Sequence, residues 1–201
     1  MLRELLAVAL GVGGGAWAPG PGPPRQVAAE IAGHVASGYR SDGRQLVSVV
    51  AGTPHVLEGG RSFRVRLVAL QKQTSAAPRA IYDAAHQQDF RLCGGGPHCS
   101  IAFGKPTVAR FRLVEREALE LALDTFRFSP SIESVVVYLP APPGRVAGPV
   151  FYLRRGDARD VGDARTLAPA AADKAVLPHL YDYAASGLPE GGVALILSPY
   201  G

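Results

Sequence analysis

The only two cysteines of the chain lie close together in a glycine-rich segment. Cys93 and Cys99 stand in DFRLCGGGPHCSIAFG (residues 89–104), with three glycines, a proline and His98 between them. Glycine reaches the positive φ angles that tight loops need, and a disulfide requires Cα atoms about 5.5 Å apart. We therefore expect a Cys93–Cys99 disulfide, which would fix local geometry more than global stability because it closes a short loop.

Two alternative chemistries remain open for this segment. Cys93, His98 and Cys99 offer three metal ligands, but a structural zinc site needs four, and the chain has no second cysteine pair. A catalytic thiol needs a nearby histidine and a third group that orients it. An enzyme of this kind would gather His98, Cys99, His86 and Asp89. The disulfide is the main prediction, and neither a metal nor a cofactor is expected.

Four arginines form a candidate anion-binding surface. Residues 62–70 and 107–114 alternate between apolar and basic side chains, which is typical of half-buried strands. If the two strands pair, one exposed face carries Arg64, Arg66, Arg110 and Arg112 and can meet phosphate groups. The phenylalanines of the two strands point to the other face, so bases would have no stacking partners and nucleic acid is not an expected partner. A solvated face that discourages edge pairing is the alternative.

Known catalytic motifs do not occur in the sequence. It has no Gly-x-Ser-x-Gly, no His-Glu-x-x-His, no P-loop and no Gly-x-Gly-x-x-Gly after a strand. His86 precedes Asp89 by three residues, and His179 precedes Asp182 by the same number, a spacing that makes neighbours on a helix. Surface polar residues often show this spacing too, so neither pair defines a catalytic site.

The first 24 residues predict export or membrane attachment. No charge occurs from Leu5 to Pro24, and the dense apolar part, residues 5–18, is shorter than the roughly 20 residues of a bilayer-spanning helix. It is typical of a signal-peptide core, with Ala16-Trp17-Ala18 as the cleavage signal; a membrane anchor and a buried N-terminal helix are the alternatives. We assign residues 1–18 to a signal peptide or anchor, 19–24 to a Pro/Gly spacer and 25–201 to one domain.

Hydrophobic periodicity predicts an α+β fold for that domain. Helical spacing occurs at 25–38, at 115–128 and in at least part of 170–185. Strand patterns occur at 45–52, 62–70, 107–114, 134–139, 150–155 and 191–201, and the three consecutive valines of 134–139 indicate burial on both faces. The expected architecture is a mostly antiparallel or mixed sheet packed by three or so helices, preceded by the hydrophobic N-terminal segment.

Composition adds only weak functional information. The chain has 201 residues, 47% apolar content and a formal net charge of +4, a mild bias toward anionic partners. We expect an exported or membrane-tethered, non-enzymatic binding or assembly domain at the cell envelope. Its partners would be an unidentified protein or an anionic envelope component, and the membrane through the N-terminal segment. An enzyme centred on the Cys93–Cys99 loop and a cytosolic anion- or nucleic-acid-binding protein are the alternatives.

Overall fold

The fold combines three α-helices with a mixed β-sheet. The computed structural model describes residues 17–41, 43–72, 75–93, 107–142, 145, 147–161 and 168–201. The helices found there are α1 Pro24–Gly38, α2 Val108–Phe128 and α3 Pro169–Val176. The strands are β1 Arg40–Ser41, β2 Arg44–Gln45, β3 Ser48–Gly52, β4 His55–Glu58, β5 Arg61–Lys72, β6 Ser75–Asp83, β7 Gln87–Cys93, β8 Ser134–Tyr138, β9 Val150–Arg154, β10 Leu180–Gly187 and β11 Val193–Pro199. The protein is therefore α+β.

The main sheet is mixed and nearly closed. Its strand order is β3-β7-β8-β9-β10-β11-β5-β4, and β6 pairs with β5 as well. β7 runs parallel to β8, and β11 runs parallel to β5, whereas the other pairs are antiparallel. The two ends of the order, β3 and β4, are linked by only Thr53 and Pro54. This short link keeps the ends of the sheet near each other.

Each face of the sheet has its own hydrophobic core. The outer core joins the sheet to the helices and includes Ile31 of α1, Leu119 of α2 and Val137 of β8. The inner core contains no helix residue; it is built from β4, β5, β8, β9 and β11, including Val136 and Leu195. Every residue of β8 is buried because its side chains alternate between the two cores. The prediction of a strand buried on both faces is confirmed.

The predicted strand at 107–114 is wrong, because these residues begin helix α2. The Thr107 side chain caps the helix by accepting a hydrogen bond from the Arg110 backbone N–H (N···O 3.2 Å). The apolar face of the predicted helix 115–128 continues toward the N-terminus by two turns, because Phe111 and Val114 are buried at helical spacing with Ala118. Only five of these residues alternate, and so short a stretch fits a helix as well as a strand. The alternation alone therefore gave the wrong element.

One further expectation about local structure needs correction. The alternation of residues 62–70 predicts Leu67 and Ala69 on the same face as Val65. The inner core contains Val65, but it continues with Val68 and Leu70. The pairing with β11 shifts register between Val193 and Ala194, and this irregularity reverses the alternation beyond it. Residues 170–185 are helical in part, as predicted: helical structure continues to His179, and β10 begins at Leu180.

Residues 17–20 pack along α1. The Trp17 ring stacks on His34 with a centroid distance of 3.9 Å, and it meets Phe128 edge-on at 5.5 Å. The Gly20 backbone N–H donates to Glu30 Oε2 at 2.7 Å. Residues 1–16, which carry most of the predicted signal or anchor, lie outside the described residues. No helix in the described ranges is long and apolar enough to cross a membrane.

Candidate functional site

The cysteine segment is described only at its first residue. Cys93 ends β7, and its backbone carbonyl accepts a hydrogen bond from the Ser48 hydroxyl (O···O 2.8 Å). Residues 94–106, with His98 and Cys99, lie outside the described residues. The disulfide, the alternative metal ligand set and the reactive thiol therefore all stay predictions. Within the described ranges, no group of three or more Asp, Glu, His or Cys side chains could hold a metal ion.

The other members of the alternative thiol site lie in different environments. His86 is exposed in the turn before β7, and its backbone carbonyl accepts from the N–H of Glu133 at 2.8 Å. Asp89 is only 4% exposed, and its carboxylate accepts hydrogen bonds from Gln87 and from the backbone of His55. The described contacts of Asp89 thus do not include His86.

The four arginines do not share one sheet face. Arg64 and Arg66 are exposed on β5, whereas Arg110 and Arg112 lie in the first turns of α2. Arg112 forms an ion pair with Glu115 (Nη1···Oε2 2.9 Å). The predicted plate across two paired strands is wrong, because residues 107–114 are helical. Anion binding by either pair of arginines stays a prediction.

A cavity of about 650 Å³ opens between the sheet and the segment that follows β9. It is within the size range of small-molecule sites in proteins, roughly 300–1,000 Å³. We call it the tyrosine pocket, because three tyrosines line it. Its described lining is Leu70 of β5; Arg79 and Tyr82 of β6; Tyr152 of β9; Asp157 and Val161 after β9; Ala171 and Ala175 of α3; Pro178 and His179; and Tyr181 of β10.

The strand pattern brings the three tyrosine rings together. Tyr152 and the half-buried Tyr82 and Tyr181 all pack with the inner core, and alternation in each strand directs them to the same side of the sheet. The ring centroid of Tyr152 lies 6.5 Å from that of Tyr82 and 6.4 Å from that of Tyr181. Arg154 places its guanidinium carbon 4.0 Å from the Tyr82 ring centroid, a cation–π contact. The three rings give the pocket an aromatic wall.

Opposite charges act on this wall. Burial is the main cause that raises the pKa of Tyr152 and of Tyr181, so both hydroxyls stay protonated at neutral pH and can donate hydrogen bonds. Among the nearby charges, Arg154 lowers the pKa of Tyr152 and Arg79 lowers the pKa of Tyr181, whereas the Asp157 carboxylate raises the pKa of both. Burial lowers the pKa of His179 although Asp157 opposes this, so the imidazole is neutral at neutral pH.

Buried polar atoms continue from the pocket into the inside of the sheet. The buried atoms that lack a hydrogen-bond partner in the described part of the chain include the hydroxyls of Tyr138 and Tyr152 and Oε1 of Gln87. The Ser134 hydroxyl lies close to that of Tyr152 and lowers its pKa. Buried polar groups in proteins are normally paired, so these atoms mark a polar interior behind the wall of the pocket.

Sequence patterns did not identify this pocket. Of its lining, only His179 stands out in the sequence, by its spacing to Asp182, but in the structure Asp182 pairs with Arg145 (Oδ1···Nη2 3.0 Å). The lining residues come from seven separate segments spread over more than a hundred positions, so no short motif contains them. The one available signal was alternation: Tyr152 in VFYLRR occupies the inward position of a strand.

The comparisons with known proteins add no relative. No protein-family model, no curated protein and no solved structure matches the chain. What the fold and the site define is an α+β protein with a nearly closed mixed sheet and an aromatic, polar pocket between that sheet and α3.

Proposed function

We propose that the chain is a binding domain that takes a small organic molecule into the tyrosine pocket and works, without catalysing a reaction, at the cell envelope. One observation carries the binding part: three tyrosines line a cavity of about 650 Å³. Small-molecule sites typically combine an apolar, aromatic lining with a few placed polar groups. Arg79, Asp157 and His179 supply further polar groups in the same lining.

The location rests on the sequence. The uncharged, apolar stretch before residue 19 favours export or a membrane anchor, and an oxidising compartment would favour a Cys93–Cys99 disulfide. The intact mass of the protein from its own host, with and without reduction, tests both ideas. The export or anchor is supported if residues 1–18 are missing or if the protein is recovered in the membrane fraction. The disulfide is supported if the mass rises by two hydrogens on reduction. A full-length, soluble protein whose mass does not change on reduction contradicts the envelope location.

Binding in the pocket is tested with a fragment library and two matched variants. Ala171 and Ala170 are adjacent exposed residues of α3, but only Ala171 lines the pocket. Ala171→Trp places an indole at the cavity, whereas Ala170→Trp adds the same ring outside it. We expect ligand-observed NMR to find fragments that bind the wild type and Ala170→Trp but not Ala171→Trp. If no fragment binds, or if Ala171→Trp binds all of them equally, the proposed function is wrong.

A further inference from the structure

The rim of the tyrosine pocket carries one positive and one negative side chain. Arg79 and Asp157 are both exposed and both line the cavity. Neither of them forms a salt bridge in the described ranges, although other exposed or half-buried charges do, such as Arg116 with Asp173 (Nε···Oδ1 2.9 Å). The pocket therefore presents two opposite charges to a ligand at its mouth.

The aromatic wall suits a cation, and Asp157 indicates where the cation would lie. Tyrosine rings bind ammonium groups through the negative potential of the ring face. The rings of Tyr152 and Tyr181 are inclined at 72°, so they form two sides of a corner rather than a flat stack. The Asp157 carboxylate acts electrostatically on both of these tyrosines and on His179. His179 is neutral and adds no competing positive charge.

Arg79 completes the complementary pattern. Its guanidinium acts on Tyr181 with the opposite sign to Asp157, and it can hold a carboxylate or phosphate with two parallel hydrogen bonds. Arg154, the other cation near the wall, contacts the ring of Tyr82 and acts electrostatically on Tyr152, but it is not part of the described lining. The half-buried Tyr181 therefore offers more of its surface to a ligand than Tyr152, which is 2% exposed.

We propose that the tyrosine pocket binds a zwitterion whose ammonium group lies against Tyr181 beside Asp157 and whose anionic group pairs with Arg79. This inference rests on the proposed function, since it specifies the ligand of the same pocket. The ligand is either a free small molecule or the headgroup of a zwitterionic lipid, because both carry the same pair of charges.

The test is isothermal titration calorimetry of the full chain with three zwitterions: phosphocholine, glycine betaine and tyrosine. Choline and inorganic phosphate serve as controls that carry charge of only one sign. A third control is 3,3-dimethylbutyl phosphate, in which a neutral tert-butyl group replaces the ammonium of phosphocholine. We expect at least one zwitterion to bind, and loss of either charge to weaken binding about tenfold, as expected for a cation–π contact with a carboxylate nearby. Phosphatidylcholine vesicles then distinguish a lipid headgroup from a free ligand.

Charge variants connect the binding to the proposed residues. Asp157→Asn and Arg79→Gln should each weaken zwitterion binding about tenfold, whereas Glu190→Gln and Arg159→Gln, which change exposed charges outside the lining, should not. If no zwitterion binds, or if Asp157→Asn and Arg79→Gln bind as the wild type does, the inference is wrong. Fragments that bind the wild type and not Ala171→Trp, but carry no such pair of charges, would leave the proposed function intact and overturn only the zwitterion.

Discussion

Glu117 is the least favourably placed carboxyl group among the described residues. It lies in the middle of α2, is 0% exposed, and neither oxygen has a hydrogen-bond partner. Burial raises its pKa well above the usual range, and the nearby charge of Glu120 raises it further. A buried polar group without a partner costs about 1–3 kcal/mol of stability. Glu117 therefore destabilises the fold that it belongs to.

Replacing Glu117 by an apolar residue should stabilise the protein. We expect Glu117→Met to raise the free energy of unfolding by about 1–3 kcal/mol at pH 8, measured by urea denaturation. The gain should shrink toward acidic pH: a folded-state pKa above the unfolded value means that the wild type loses stability as pH rises, so the penalty is largest at high pH.

Glu117→Gln is the matched control for this prediction. It removes the charge but keeps a buried polar group, so its gain at pH 8 should be smaller than that of Glu117→Met. A methionine variant that is less stable than the wild type at every pH would contradict the prediction. That result would mean that the carboxyl group makes a favourable interaction in solution.

At the scale of elements, Arg155 ties the end of α2 to the sheet. It directly follows β9, and its guanidinium donates to three backbone carbonyls: Phe126 in the last turn of α2 (2.8 Å), Ser129 directly after the helix (2.7 Å) and Ile132 before β8 (2.8 Å). The last carbonyls of a helix have no partner inside the helix, so they need donors of this kind. Arg155 also lies over the Phe126 ring, with its Cζ 5.0 Å from the centroid.

We expect lysine to be a poor substitute for Arg155 in stabilising this contact. An ammonium group is a point charge and cannot reproduce the planar fork that reaches three carbonyls. We expect Arg155→Lys to lower the free energy of unfolding by about 1–3 kcal/mol, the value of one or two hydrogen bonds to a charged group. Arg61→Lys, at an exposed position where β5 begins, should change it by less than about 0.5 kcal/mol. Equal effects of the two substitutions in a urea titration would show that the three hydrogen bonds do not stabilise the fold.

The backbone of the turn between β10 and β11 lies close to that of β5. Gly192 has φ +79°, and a Cβ at this position would lie 2.8 Å from the backbone oxygen of Arg64. Gly191 has φ +84° but faces open space. We expect Gly191→Ala to cost about 1–2 kcal/mol from the left-handed backbone alone, and Gly192→Ala to cost more because of the clash. Thermal melts in which Gly192→Ala is no worse than Gly191→Ala would contradict this.

The sequence predicts elements well where the hydrophobic pattern is unambiguous. The helix at 25–38 is confirmed because its apolar residues follow one helical period throughout. The strands around Val136 and Leu195 are confirmed because each is a short, continuous apolar run. The start of α2 was mistaken for a strand because five residues fit both periods. In β5, the residues that point inward change where the pairing with β11 shifts register. This shift depends on the partner strand, so the sequence of β5 alone does not predict it. Likewise, the tyrosine pocket forms only when seven separate segments of the chain meet.

At the scale of the whole molecule, Asp89 links the two ends of the sheet order. It belongs to β7, the neighbour of the first strand in the order, and its Oδ2 accepts the backbone N–H of His55 in β4, the last strand (N···O 3.3 Å). Its Oδ1 accepts from Gln87 Nε2 at 2.6 Å. Burial raises the pKa of Asp89 to about 7, although Gln87, the His55 backbone and the Arg91 charge all lower it.

This buried carboxyl group should make the stability of the fold depend on pH. Between about pH 4 and 7 the unfolded chain has lost the Asp89 proton while the folded chain keeps it, so stability falls as pH rises and levels off above 7. One such proton gives a slope of up to about 1.4 kcal/mol per pH unit. Glu117 contributes with the same sign, so the difference between the wild type and Asp89→Asn isolates the Asp89 part.

We therefore expect urea denaturation from pH 4 to 9 to show a steeper loss of stability for the wild type than for Asp89→Asn. The exposed Glu58→Gln, in the same strand as His55, should keep the wild-type slope. The asparagine amide cannot accept both hydrogen bonds, so this variant should be the less stable one at pH 4 and should approach or exceed the wild type at pH 8. Parallel pH curves for the wild type and Asp89→Asn would mean that Asp89 ionises normally and that the sheet is open to water at this point.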